Sequence, residues 1–162
     1  MLKTINTLGQ FIEDNYQRIN VRQYARLQKI SPPTASKLLQ HFYNEGLLKR
    51  ETDRQYIYYY ANKESDLFID FSRIFWKTTL AKSGLLSYIK DEAVSPIIIL
   101  FGSLSKAEAK QDSDIYLAIF TSSIKEFDVK NFEKILKRKV QIMIFKNRDS
   151  VKSEELLNNI LN

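Results

Sequence analysis

The feature that most constrains this chain is a change of hydrophobic period at Gly46. Ahead of it, apolar residues recur three and four apart, as on one face of a helix; beyond it they follow the every-other-residue rhythm of a strand. Residues 4 to 17 carry Ile5, Leu8, Phe11 and Ile12 and read as a first amphipathic helix. Asn20 is placed to cap a second, whose inner face is Val21, Tyr24, Ala25 and Leu27 until the pattern breaks at Ile30 and Ser31. Ser31 is placed to cap a third helix. Its first turn tolerates Pro32 and Pro33 because the amides lost there have no acceptor within the helix. In that third segment Ala35, Leu38, Leu39 and Phe42 face inward, Thr34, Ser36, Lys37, Gln40 and His41 face outward, and Gly46 supplies the left-handed residue that ends the helix. LLKRE, a polar turn at Thr52, Asp53 and Arg54, and QYIYYYA then read as a β-hairpin without an Asn-Gly turn signal.

The remaining sequence keeps to the α+β class. From Ser65 an unusually apolar helix runs through Leu67, Phe68, Phe71, Ile74, Phe75, Trp76 and Leu80, followed by a shorter one from Gly84 to about Asp91. SPIIILF (95–101), DIYLAIF (114–120) and VQIMIF (140–145) read as buried strands, and segments 103–109, 129–137 and 153–161 as short helices. The expected organisation is therefore a three-helix and hairpin domain over residues 1–62, a helical linker over 63–94, and a small mixed-sheet domain over 95–162.

Composition removes several function classes. The 162 residues include no Cys and one His, which excludes disulfides, thiolate chemistry and a His-rich metal centre. No apolar run approaches the roughly 18 residues of a membrane span, and the first ten residues lack the apolar stretch of a signal peptide, so the expectation is a cytoplasmic protein with no membrane partner. Of the net charge of +6, the larger share lies in residues 1–62, with nine basic side chains against five acidic. A basic amino-terminal half suits a polyanionic partner.

The order helix, helix, turn, helix, hairpin in residues 1–62, and in particular TASKLLQHFYNEGLLKRETDRQYIYYYAN, resembles the winged helix-turn-helix of prokaryotic transcription regulators. The resemblance implies a double-stranded DNA partner. A helix fits the major groove, short polar side chains reach base edges, and basic hairpin residues neutralise phosphates. It implies base or backbone contacts from Thr34, Ser36, Lys37, Gln40 and His41, and backbone or minor-groove contacts from Lys49, Arg50, Arg54, Gln55 and Tyr56. The bland alternative is a solvated helix face and hairpin used for protein contacts. The run Tyr56 to Tyr60 reads as a strand whose alternate rings pack inward rather than as a base-stacking platform.

ILFGSLSKAEAKQDSDIYLAIF, residues 99–120, resembles the signature of minimal nucleotidyltransferases of the DNA polymerase β superfamily. The resemblance places Gly102 and Ser103 at a phosphate-contacting turn, Lys106 at a position that is usually basic, and Asp114 at the first of two metal-binding carboxylates. The family's pair sits two residues apart on a strand, so both acids face the same way and gather two divalent ions. Here the second position is Tyr116, a third acid falls at Gln141, and Ala107 replaces a usual glycine. Asp112 and Asp114 share the two-residue offset and would form a pair only if the strand began earlier.

The reading that follows is a transcriptional regulator that is not an enzyme, with no catalytic residue, no metal and no resident cofactor. Its carboxy-terminal domain would be a catalytically degenerate nucleotidyltransferase with a vestigial nucleotide site, used for sensing, dimerisation or contact with a nucleotide or protein partner. The aromatic linker helix would be the seam of a homodimer. The alternative is an active, antitoxin-like minimal nucleotidyltransferase that modifies a partner and regulates its own expression.

Overall fold

The computed structural model describes residues 2–122 and 126–161. The chain divides into two compact units, one of residues 1–72 with 107–111 and the other of residues 73–106 with 112–162. The division falls within a helix.

In the first unit, α1 (Leu2–Glu13), β1 (Ile19–Asn20), α2 (Val21–Gln28) and α3 (Pro32–Asn44) precede the hairpin of β2 (Leu48–Asp53) and β3 (Tyr56–Ala61). The sheet order is β1-β3-β2, antiparallel throughout. Three helices followed by a hairpin that also pairs with a short strand between α1 and α2 make a winged-helix-like fold.

Local chemistry explains most of the boundaries. The Asn20 side chain accepts from the Gln23 amide while the Gln23 side chain accepts from the Asn20 amide, a reciprocal capping box. Ser31 Oγ accepts from the Thr34 amide at 3.3 Å, with proline at the first two positions of α3. Gly46 has φ +70 and follows the helix end as expected. Ile5, Leu8, Phe11 and Ile12 of α1, Tyr24 and Ala25 of α2, and Ala35, Leu39 and Phe42 of α3 are buried, with the rings of Phe11 and Tyr24 stacked at 5.9 Å.

Three details differ from expectation. The first helix stops at Glu13, and β1 is too short for periodicity to reveal. The hairpin turns at Arg54 and Gln55, with φ of 44 and 75, not at Thr52 to Arg54; the strands pair as far as Asp53 opposite Tyr56. A two-residue turn with both residues left-handed matches strand twist, and non-glycine residues accept it at a cost of about 1 kcal/mol each.

The first unit also takes in residues 107–111. Asn15, 2% exposed, donates from its backbone amide to Ala109 O at 2.8 Å and accepts from the Ala109 amide at 2.6 Å through Oδ1, while its Nδ2 donates to Phe11 O at 2.8 Å. A buried amide side chain whose groups are satisfied in this way holds a backbone segment 94 residues distant in sequence.

The helices α4 (Asp66–Lys82) and α5 (Leu85–Glu92) agree closely with expectation. Phe68 and Trp76 of α4 are buried within the chain and Phe71 and Phe75 are half-buried, so intramolecular packing takes up much of the aromatic surface considered as a dimer seam. In the second unit, β4 (Ile97–Phe101), β5 (Ile115–Phe120) and β6 (Val140–Phe145) form a mixed sheet in the order β4-β5-β6, antiparallel then parallel. α6 (Lys130–Leu136) precedes β6, and α7 (Glu154–Leu161) follows it; Ile160 of α7 is buried with Phe101 and Ala118.

No helix forms over 103–109. Ser105 instead turns back on Gly102, its amide and Oγ both donating to Gly102 O, and Ala107 has φ +54, which a right-handed helix cannot include. Because β4 and β5 are antiparallel, this connection needs no crossover helix. No helix among the described residues is long and apolar enough to cross a membrane.

Two measurements check the packing of the first unit. Asn15→Ala leaves the Ala109 amide buried without its acceptor and is expected to cost about 2 kcal/mol in chemical denaturation; a loss below about 0.5 kcal/mol would show that water replaces the amide without penalty. Tyr24 donates to Thr7 O at 2.7 Å, and burial, outweighing the opposing effect of the Thr7 side chain, pushes its hydroxyl from an ordinary 10 up to about 12. Its contribution is whole below pH 10 and is lost as pH rises through 12, because only the unfolded chain ionises readily in that window; the loss is roughly 2 kcal/mol. The stability difference between the parent and Tyr24→Phe should accordingly shrink or reverse between pH 10 and 12.

Candidate nucleic-acid interface

Helix α3 presents two unlike faces. Ala35, Leu39 and Phe42 are buried, while Thr34, Ser36, Lys37 and His41 are exposed on the opposite side. No acidic residue stands in its first turn. The outward side chains are not equally available. Thr34 Oγ1 is 2.8 Å from Ser31 Oγ, and His41 lies 4.0 Å from Glu45, whereas Ser36 and Lys37 engage no side chain among the described residues.

The interior half of α3 and the first wing strand are joined by hydrogen bonds. Gln40 Nε2 donates to Asn44 Oδ1 at 2.8 Å, and Arg50 Nη1 donates to Gln40 Oε1 at 3.0 Å with its guanidinium 4.4 Å over the Tyr43 ring. Arg50 thus braces β2 against α3. Lys49 is held by Glu64 at 2.7 Å, and that ion pair and hydrogen bond keep the Glu64 carboxyl below its ordinary range. The wing's own acids are partly offset by Arg18, which contacts Glu51 directly, lies 3.8 Å from Asp53, and sits 5.0 Å over the Tyr58 ring. Arg54 and Gln55 form the exposed hairpin tip with Tyr56 beside them, and Tyr59 points inward as strand alternation requires.

A basic stripe that the sequence reading did not single out lies on α2. Arg22, Arg26 and Lys29 are spaced four and three apart, all exposed, and line a shallow concavity with Ala25, Ile30 and Pro32 at the start of α3. The i, i+4, i+7 spacing of three cations was the available signal.

The carboxy-terminal turn is centred on Gly102. Gly102 has φ +79 and follows Phe101, which is paired with Tyr116 across β4 and β5. A Cβ on Gly102 would stand 3.5 Å from Tyr116 Cδ2, and the Tyr116 ring lies 5.7 Å from that of Phe101. The position of the family's second carboxylate is therefore occupied by an aromatic ring packed on the turn. Gln141 lies beside Tyr116 in the parallel register of β6 and is exposed. Asp114 is half-exposed one residue before β5, and Asp112 lies farther back in the loop, so the two do not form a strand pair. Lys106 Nζ donates to Asn159 Oδ1 at 2.7 Å, and Ser103 is half-buried in the turn. Ala107 adopts the left-handed φ that a glycine would favour there. Among the described residues no group of three or more His, Asp or Glu side chains could hold a metal ion. One carboxylate with a tyrosine and an amide is a poor donor set for two divalent cations, so the family's two-metal arrangement does not fit this turn.

No protein family matches the chain, and no curated protein matches it. Among solved structures the chain is similar to MepR, a transcription regulator of the Staphylococcus aureus multidrug efflux pump MepA, at 22% identity and a TM-score of 0.42, over 56% of this chain and 68% of that one.

Proposed function

We propose that this protein is a double-stranded DNA-binding transcription regulator whose amino-terminal unit enters the major groove with α3. One observation carries the reading: the exposed amino-terminal half of α3 is polar and free of carboxylates, and the cationic stripe Arg22, Arg26 and Lys29 stands beside its first turn. Ser36 and Lys37, with Thr34, are the base-edge readers, and the α2 stripe holds phosphates. Arg54, Gln55 and Tyr56 are the wing contacts. Gln40, Lys49 and Arg50 reach DNA only by exchanging their present partners, and His41 remains a backbone contact at the far end of the helix.

The carboxy-terminal unit is, in the same proposal, a nucleotidyltransferase-like framework without catalysis, serving sensing, homodimerisation or partner contact. The Tyr116 ring packed against Gly102 and Phe101 supports this. Gly102, Ser103, Lys106 and Asp114 are the vestige of a nucleotide site.

Fluorescence anisotropy against selected operator sequences at several salt concentrations tests the DNA half. Lys37→Ala should cost about 1–3 kcal/mol and relax sequence preference, whereas Arg22→Ala with Arg26→Ala should weaken all sequences alike and lower the salt slope by about 2. Absence of salt-sensitive retention at about 50 mM salt would remove the proposal. For the carboxy-terminal unit, incubation with labelled nucleoside triphosphates and Mg²⁺ or Mn²⁺ is expected to give no transfer. Transfer abolished by Asp114→Ala would instead establish the enzyme.

A further inference from the structure

We propose that a cleft in the second unit binds a small amphipathic anion, an aliphatic chain ending in a carboxylate, at a site that borders the vestigial nucleotide turn but takes a different occupant. The cleft encloses about 600 Å³ and is lined by residues of α4, α5, β4, β5 and α7, with Pro96 ahead of β4 and Ser105 of the turn that follows it. That volume lies within the range of pockets for small organic ligands, which are largely apolar with a few polar groups to orient the occupant.

The lining decides the chemistry of the occupant. Leu80, Leu86, Ile98, Leu100, Leu117 and Ile160 supply an aliphatic wall, and among the described residues no aromatic ring lines it, so they offer no stacking surface for a planar base. A flexible hydrocarbon chain suits such a wall, since its transfer from water contributes about 0.8 kcal/mol per buried methylene. The charges on the lining all have one sign. Arg73, Lys77 and Lys90 contribute three cations, and among the described residues no carboxylate lines the cleft. Arg73 and Lys77 are one turn apart on α4 with Leu80 on the same face, and Leu86 and Lys90 are one turn apart on α5. Each helix therefore turns both an aliphatic side chain and a cation toward the cleft.

The cations differ in role. Arg73 Nε donates to Ser105 O at 3.1 Å, which fixes that side chain to the neighbouring turn. Lys77 and Lys90 are exposed and form no ion pair among the described residues, so their ammonium groups are available to a headgroup while their methylene stems extend the apolar wall. A cleft with low-dielectric walls and cations of a single sign concentrates an anion at its mouth. The Gly102 turn, by contrast, presents backbone and Lys106 tied to Asn159; a triphosphate there and a fatty carboxylate here are chemically different occupants.

Titration calorimetry of the full chain with decanoate, decanol and decylamine, each below its aggregation concentration, tests the assignment without depending on the DNA reading. Decanoate should bind saturably near one per chain, decanol at least tenfold more weakly, and decylamine not at all. Lys77→Ala with Lys90→Ala should weaken decanoate at least tenfold and leave decanol unchanged, while Lys130→Ala, on α6 outside the cleft, should change neither. Leu86→Trp should abolish binding of both ligands in a chain shown by its thermal melt to be folded. Lack of decanoate binding, equal affinity for the three ligands, or indifference to the paired lysine substitutions would overturn the proposal.

Discussion

The three-residue junction between α2 and α3 is the constraint on which the presentation of the amino-terminal surface depends. Lys29 takes a left-handed conformation and closes α2 through its amide to Ala25 and Arg26 carbonyls; Ser31 then caps α3, and two prolines begin it. Each step removes backbone freedom at a place where a helix otherwise leaves amides or carbonyls unpaired. The direction of α3 is thereby set within a few residues. Burial of Ala35, Leu39 and Phe42 sets its rotation about its own axis, and only then do Thr34, Ser36 and Lys37 become a surface. The α2 stripe shares this origin, because the same left-handed residue that ends α2 is its third cation.

Charge on this unit is arranged as much by pairing as by number. Lys49 and Arg18 are coupled to acids, and Arg50 is engaged with an amide and a tyrosine ring. Such exposed pairs contribute little stability, about 0.2–1 kcal/mol each, but they localise the cationic surface. Among the described residues, Arg22, Arg26 and Lys29 of the α2 stripe, Lys37 on α3 and Arg54 at the hairpin tip have no side-chain partner. A net charge alone could not distinguish these from the braced cations.

The legible parts of the sequence were those decided locally. The Asn20 and Ser31 caps, the two prolines and Gly46 act through neighbours one to four residues away, and the structure places each where its chemistry demands. The hairpin turn was misplaced because Arg54 and Gln55 carry none of the Asn or Gly signal that left-handed residues usually announce; pairing of Leu48 with Ala61 and of the intervening residues imposes it. Residues 103–109 looked helical by composition, yet left-handed Ala107 and the buried Ala109, paired with Asn15, are decided by contacts that no local window contains. The side-chain direction of Arg50 belongs to the same class. Its residue type advertises phosphate binding, while its position opposite Tyr59 on β2 and beside α3 gives it a nearer partner.

The turn at Gly102 is a backbone conformation that stands without an ion beside it. Two carboxylates two residues apart on a strand repel each other unless cations are present, so a metal-binding pair makes the strand's start depend on its ligand. Tyr116 carries no such dependence: its ring packs 5.7 Å from that of Phe101 and would stand in ordinary contact, at 3.5 Å, with a Cβ at Gly102. Asp114 alone is then a half-exposed acid that needs no metal to be tolerated. Gly102 takes a left-handed φ because the chain turns sharply after Phe101, and Ser105 secures the turn with two bonds to the Gly102 carbonyl. The conformation of this turn is maintained by packing and by the turn's own hydrogen bonds, neither of which calls for a bound ion or phosphate.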